Sequence, residues 1–236
     1  MNIKYAVLKI FFITFLPQLA LSQVIFQTFD MIVSNPAGVV AAMNKYQSSP
    51  TGQQGSASVS LRQYIANGES KATHQILVTY PSADDMGSDL ARNAASSDWA
   101  NFLVEMNEVA EVEFEGVGQI LAMGGDANSS ALTSPNQTQI YYQMSVSDPA
   151  VYASAWSDFT AANAENGAVS YLSGVIVGGA NPSTHVVSNV FDSPVKAVSN
   201  QPQNYNGWDT FMQRVQNIRT VEARAMTQTI ATWAAE

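Results

Sequence analysis

The chain contains two histidines, and each follows a threonine at the head of a β-branched run: Thr73-His74 before Gln75 to Tyr80, and Thr184-His185 before Val186 to Phe191. Histidine is the side chain that changes charge near neutral pH without perturbation, so either imidazole could serve as acid, base or ligand. The same Thr-His pair could equally open a strand, with the imidazole bonded to a neighbouring backbone group. Period two puts His74 on one face with Ile76, Val78 and Tyr80, and His185 with Val187, Asn189 and Phe191.

Two later runs add polar company. One face carries Glu113, Glu115 and Gln119 in the first run, and Glu222, Arg224 and Gln228 in the second. The opposite face is small and apolar: Val112, Phe114, Gly116 and Gly118 against Val221, Ala223, Ala225 and Thr227. If helices cover the small face, the Glu and Gln face turns into the space between two sheets. The expected ligand site is then a polar cavity lined by His74, His185, Glu113, Glu222, Arg224, Gln119 and Gln228. Buried carboxylates there need partners, and Arg224 is the arginine that the Thr220–Thr232 run supplies. The alternative is an edge position, with the carboxylates facing water.

Other chemistries find little support. Cysteine is absent, which removes disulfides, thiol nucleophiles and thiolate metal sites. No His/Asp/Glu group has the short spacing of a metal site, so none is assigned. There is no Gly-x-Ser-x-Gly elbow. Gly124-Gly125 and Gly178-Gly179 are not followed by Lys-Ser/Thr, so they are not phosphate loops.

The elements that would position these residues occur twice. Val24–Val33 reads as a strand, and Asn35-Pro36 caps and opens a helix whose stripe is Val39, Ala42, Met43 and Tyr46. Strands at Ser56–Ala66 and Thr73–Tyr80 flank an Asn67-Gly68 turn. A helix over Asp84–Asn107, interrupted near Ser96-Ser97, precedes a strand at Glu111–Met123. The second half repeats this order: a strand at Ile140–Ser147, a helix opened by Asp148-Pro149, strands at Gly167–Gly178 and Thr184–Phe191, a helix over Val195–Asn217 interrupted at Gln201-Pro202, and a strand at Thr220–Thr232. Trp99, Phe102, Leu103 and Met106 fall on Trp208, Phe211, Met212 and Val215. That spacing is one helix face, and it reads as core. The expected domains are a first repeat at 23–123, a linker at 124–139 and a second repeat at 140–236.

Each half is therefore β-α-β-β-α-β, the ferredoxin-like order. A single such unit leaves one sheet face bare, and two in tandem can cover each other sheet to sheet. On this element order and duplication, the chain resembles the dimeric α+β barrel superfamily in a single-chain, pseudo-dimeric form. The resemblance implies an α+β fold and a choice among cofactor-free monooxygenases, isomerases, stress-responsive barrel proteins and haem proteins such as chlorite dismutases. It also implies that a haem, if one were bound, could take His74 or His185 as its axial ligand. Apart from that alternative no cofactor is expected.

The first 22 residues read as a secretory signal peptide: Lys4 and Lys9, the apolar run Ile10–Leu16, and a small-residue end at Ala20-Leu21-Ser22. Its removal lowers the basic count from 10 to 8 against 19 acids, a formal charge of −11. An acidic chain without a basic run is a poor partner for nucleic acid or anionic lipid. The expected protein is exported to a periplasm or the exterior, free of the membrane after cleavage, and binds a small molecule or partner without catalysis. The alternatives are a barrel enzyme using His74 or His185 and a surface or assembly protein.

Overall fold

The computed structural model describes residues 24–166 and 169–234. The signal peptide assigned to residues 1–22 lies outside the described residues. The element order is β1 (Ile25–Val33), α1 (Pro36–Gln47), β2 (Ser58–Ala66), β3 (His74–Tyr80), α2 (Ala83–Ala94), α3 (Ser97–Val109) and β4 (Ala110–Gly124). It continues with β5 (Thr138–Val146), α4 (Pro149–Ala161), β6 (Val169–Gly178), β7 (His185–Phe191), α5 (Pro194–Ser199), α6 (Trp208–Val215) and β8 (Arg219–Trp233).

Local chemistry sets the boundaries. The Asn35 side chain accepts from the Gly38 backbone N–H and Asp148 does the same for Val151, so each Asx-Pro pair starts a helix as its sequence requires. Ser96 caps α3 by accepting from Asp98 and Trp99, which splits the long first-half helix into α2 and α3. In the second half the break is deeper. Asn200 and Gln201 leave the helix, and Pro202, which lacks a backbone N–H, opens a single 3-10 turn over Pro202–Asn204. The paired segments α5 and α6 are consequently only 6 and 8 residues long.

The first four strands pair in the order β4-β1-β3-β2 and the second four in the order β8-β5-β7-β6, antiparallel throughout. This is the ferredoxin-like strand order in both halves. The registers match as well: Met31 pairs with His74 where Met144 pairs with His185, and β4 and β8 are bulged at Glu113 and Glu222 opposite these methionines. The two sheets do not stack as separate layers. They join edge to edge through β2–β8 and β4–β6, closing one eight-stranded barrel with no free strand edge.

Closure depends on the length of β4 and β8, 15 residues each. The far end of β8 leaves its own half, so that Ala231 and Trp233 pack into the first-half core of Met31, Val39, Met43, Leu61 and Phe102. Trp233 Nε1 donates to Asn44 on α1 at 2.8 Å. The far end of β4 makes the reciprocal crossing, with Ala122 packed on the second-half core of Met144, Tyr152, Trp156, Phe211 and Val215. The 124–139 segment is not a free linker. Ala131 and Leu132 pack against Val169 and Val190, and Gln137 donates to the Ala131 carbonyl at 3.0 Å, which seats the segment across one end of the barrel.

Candidate functional site

Among the described residues, two of the cavities lie where the elements cannot fill the space between them. The larger, about 510 Å³, lies inside the barrel, and the smaller, about 290 Å³, lies between the second-half sheet and its helices. Both are near or within the range of small-molecule sites, roughly 300–1,000 Å³.

Strand parity decides what faces the barrel interior. Phe26, Thr28 and Asp30 of β1 point inward, as do Ser60 and Arg62 of β2, Gln75 and Leu77 of β3, and Gln139 and Tyr141 of β5. On β4 the inward face is Gly116 and Gly118. A Cβ on Gly118 would sit 2.3 Å from the Phe26 ring and 2.8 Å from the Gly174 carbonyl oxygen. Gly178, at φ +80°, brings β6 so close that a Cβ there would meet the Glu115 carbonyl oxygen at 2.3 Å. The small face is therefore small because the barrel interior is tight, not because helices cover it.

This reverses the orientation expected from the sequence. Gln119 pairs beside Ile25, and Gln228 beside Thr138 and Gln63, on the outer face away from the cavity. Glu113 sits on the β4 bulge and accepts from the Ser70 hydroxyl at 3.0 Å and the Lys71 backbone N–H at 3.3 Å, fastening the β2–β3 hairpin. Glu222 occupies the equivalent bulge and is exposed to solvent. His74 and His185 face the helices, each Nδ1 within hydrogen-bonding distance of the preceding threonine hydroxyl at 2.9 and 2.8 Å. Those threonines also accept from the Val33 and Val146 backbone N–H groups, so Thr-His acts as a strand clasp in both halves. Burial lowers both imidazole pKa values. Neither imidazole lines a cavity. Of the seven residues expected at one site, Arg224 alone lines either cavity, the smaller one.

What lines the barrel instead is a buried to half-buried polar array that the sequence reading passed over. The Tyr64 hydroxyl donates to Asp30 at 2.7 Å, Gln75 Nε2 donates to the same oxygen at 2.9 Å, and the Tyr141 hydroxyl donates to Tyr64 at 2.5 Å. Burial raises the Asp30 pKa, and these bonds offset part of that rise. Tyr64 and Tyr141 are driven upward by burial, with Asp30 adding to the rise. Arg62 donates to Gln139, while its Nε has no partner. The signal was present in the alternation Ser58-x-Ser60-x-Arg62-x-Tyr64 and Gln139-x-Tyr141-x-Gln143, polar on the face opposite Val59 and Leu61.

The smaller cavity follows from the Pro202 break. In the first half the space under α1 and α3 is filled by Met43, Tyr46, Phe102 and Met106. In the second half, the shorter α5–α6 pair leaves a gap walled by Tyr152, Trp156, Phe159, Tyr205, Trp208 and Phe211. The rings form a connected set, with Phe159 stacked on Phe211 at 5.0 Å and tilted against Trp208 at 5.9 Å. The Arg219 guanidinium lies 5.3 Å from the Phe211 centroid and Arg224 lies 5.8 Å from that of Tyr142. Among the described residues neither arginine is in an ion pair. The Trp156 indole N–H is buried without an acceptor. Trp208, Phe211 and Met212 were read as core, and in this half they are also cavity wall.

No family model matches the chain, and no curated protein is similar to it in sequence. Solved structures are similar in fold. One is a proposed monooxygenase from Fusobacterium nucleatum, 12% identical over 90% of this chain and 95% of its own, with a TM-score of 0.61. An anthrone oxidase-like protein is 12% identical over 90% and 92%, at 0.58. A proposed chlorite dismutase is 9% identical over 89% and 96%, at 0.53. The chain has the dimeric α+β barrel fold. At these identities the likeness concerns the fold alone. The haem alternative meets an obstacle in the geometry, because both histidines are held in strand clasps outside the two cavities. The residues lining either cavity do not offer haem an imidazole. Among the described residues no group of three or more His, Asp or Glu side chains could hold a metal ion.

Proposed function

We propose that this protein is an exported, single-chain α+β barrel, with halves that derive from duplication of one unit. In this reading it binds a small aromatic molecule bearing an acidic group, without converting it. The observation that carries this is the second-half cavity, where seven aromatic residues meet two arginines that, among the described residues, lack carboxylate partners. Aromatic walls favour a planar apolar ligand, and a guanidinium at the rim favours a carboxylate or phenolate. The free Trp156 N–H supplies a further donor for such a ligand. The same lining argues against acid–base catalysis there, since it contains no Asp, Glu or His. The barrel-enzyme reading keeps one supporting observation, the Asp30–Tyr64–Tyr141 chain, and that lies in the other cavity.

Thermal shift and tryptophan fluorescence with 2-naphthoate and its uncharged analogue 2-methylnaphthalene test the proposal. Naphthoate should stabilise the wild type, His74→Ala and His185→Ala alike, and Trp208→Ala or Arg219→Met should lose most of the effect. Binding unaffected by Trp208→Ala and Arg219→Met would sink the assignment of the cavity. Oxidation of the bound aromatic by the protein in air, detected by mass spectrometry, would replace the binding reading with the enzymatic one.

A further inference from the structure

The barrel interior contains a charge that nothing among the described residues balances. Arg62 is 7% exposed and sits on the wall of the 510 Å³ cavity. Its side chain donates to Gln139, a neutral amide, and its buried Nε has no acceptor. Among the described residues it forms no ion pair. Asp30, a half-buried carboxylate in this interior, is already occupied by Tyr64 and Gln75. Burial pulls the guanidinium down to about 10, the direction expected of a desolvated cation without a counter-charge. Such a group is costly to keep, because a buried charge is tolerated when it is paired and hydrogen-bonded.

Its surroundings describe what would pair with it. At the position matching Arg62 in the second half, paired with Val186 as Arg62 is paired with Gln75, stands Ser173. The interior therefore has one cationic wall and a smaller wall across from it, which leaves the room. Around Arg62 the Tyr64, Tyr141 and Tyr171 rings approach, while Leu77, Val175 and Val190 supply apolar lining. One fixed cation with a planar fork matches one carboxylate, and a dianion would leave half its charge unpaired in a dry site. We infer that the barrel interior is a second ligand site, separate from the aromatic cavity, which takes a small aliphatic monocarboxylate with its head on Arg62 and its chain along the apolar wall.

The test uses octanoate, with octanol as the uncharged analogue and inorganic phosphate as a dianion-rich control, on the full mature chain. Octanoate at about a hundredfold excess over its Kd should raise Tm by roughly 5–10 °C, and octanol and phosphate should not. Arg62→Met should abolish the octanoate shift while leaving the ligand-free Tm equal to or above that of the wild type, because it removes an unpaired buried charge. Arg219→Met should leave the octanoate shift intact. The inference is overturned if octanol stabilises as well as octanoate, if phosphate does so, if Arg62→Met keeps the shift, or if its ligand-free Tm falls sharply. Loss of the shift in Arg219→Met alone would move the carboxylate to the aromatic cavity and equally overturn it. Should Arg62→Met fail to fold, [2-13C]octanoate on the wild type decides the matter. Filtered NOEs from its C2 protons to the Tyr141 and Tyr171 rings are expected, and NOEs to Trp208 and Tyr205 in their place refute the site.

Discussion

Replacing Gly118 by alanine asks which face of β4 lines the barrel. The residue sits mid-strand at an ordinary negative φ, so the backbone accepts an alanine without strain. On an open strand face Gly→Ala would stabilise by about 0.5–1 kcal/mol through the entropy of the unfolded chain. Here the new Cβ would lie 2.3 Å from Phe26 Cζ, against about 3.5–4.0 Å for two carbons in contact, and 2.8 Å from a backbone oxygen of β6. The ring would have to retreat by about 1 Å or more, and the β6 carbonyl cannot follow it without loosening the β4–β6 seam. Overpacking of this kind costs about 1–3 kcal/mol. For a chain of this size that is a Tm fall of roughly 2–12 °C, opposite in sign to the open-face outcome. Differential scanning fluorimetry on Gly118→Ala reads it, with Gly87→Ala as control. A Cβ at Gly87 in α2 meets nothing within 4 Å, so that variant should gain about 1 kcal/mol. Adding Phe26→Leu to Gly118→Ala should recover part of the loss, since it removes the nearer clash. A Tm for Gly118→Ala at or above the wild type would mean that this face does not line a packed barrel, and the cavity assignments would fall with it.

Asp30→Asn retains an acceptor oxygen for Tyr64 and Gln75 while removing a half-buried charge. The folded pKa of Asp30 lies above its unfolded value, so its contribution to stability is fully present below about 3.9 and is lost as pH rises through the folded pKa. Urea titrations should therefore find Asp30→Asn as stable as the wild type or more so at pH 7, with the gap closing by pH 4. A variant equally destabilised at both pH values would refute this. The histidines have the opposite dependence: burial lowers both pKa values, so their contribution is intact above about 6.5 and is lost as pH falls through the folded values. NMR titration of the two imidazole Cε1–H signals should give both midpoints below 6.5, and one above it would contradict the clasp geometry. If residues 1–22 are a cleaved leader, mass spectrometry of the secreted chain should find Gln23 at the N-terminus, and an intact leader would argue for an uncleaved anchor.

Much of the architecture was legible because its causes are local. Asx-Pro at 35–36 and 148–149, the helix break near Ser96-Ser97 and the Pro202 break are set by residues within a turn of each other, and each appears where the sequence placed it. The repeated Trp-Phe stripe and the twofold strand order followed from the same short-range patterns. The candidate site was not legible in this way. Period-two alternation separates the two faces of β4 and β8 but does not say which one the barrel encloses. That choice is made when β4 meets β6 and β8 meets β2, at separations of about 50 and 170 residues along the chain. Closure turns Gly116 and Gly118 inward, sends Gln119 and Gln228 to the outer face, and brings Arg62 of the first half against Gln139 of the second. The sequence determined the elements and their order, because propensity, capping and periodicity act within a few residues. Only the tertiary structure decided inside from outside, because that depends on which distant edges find each other.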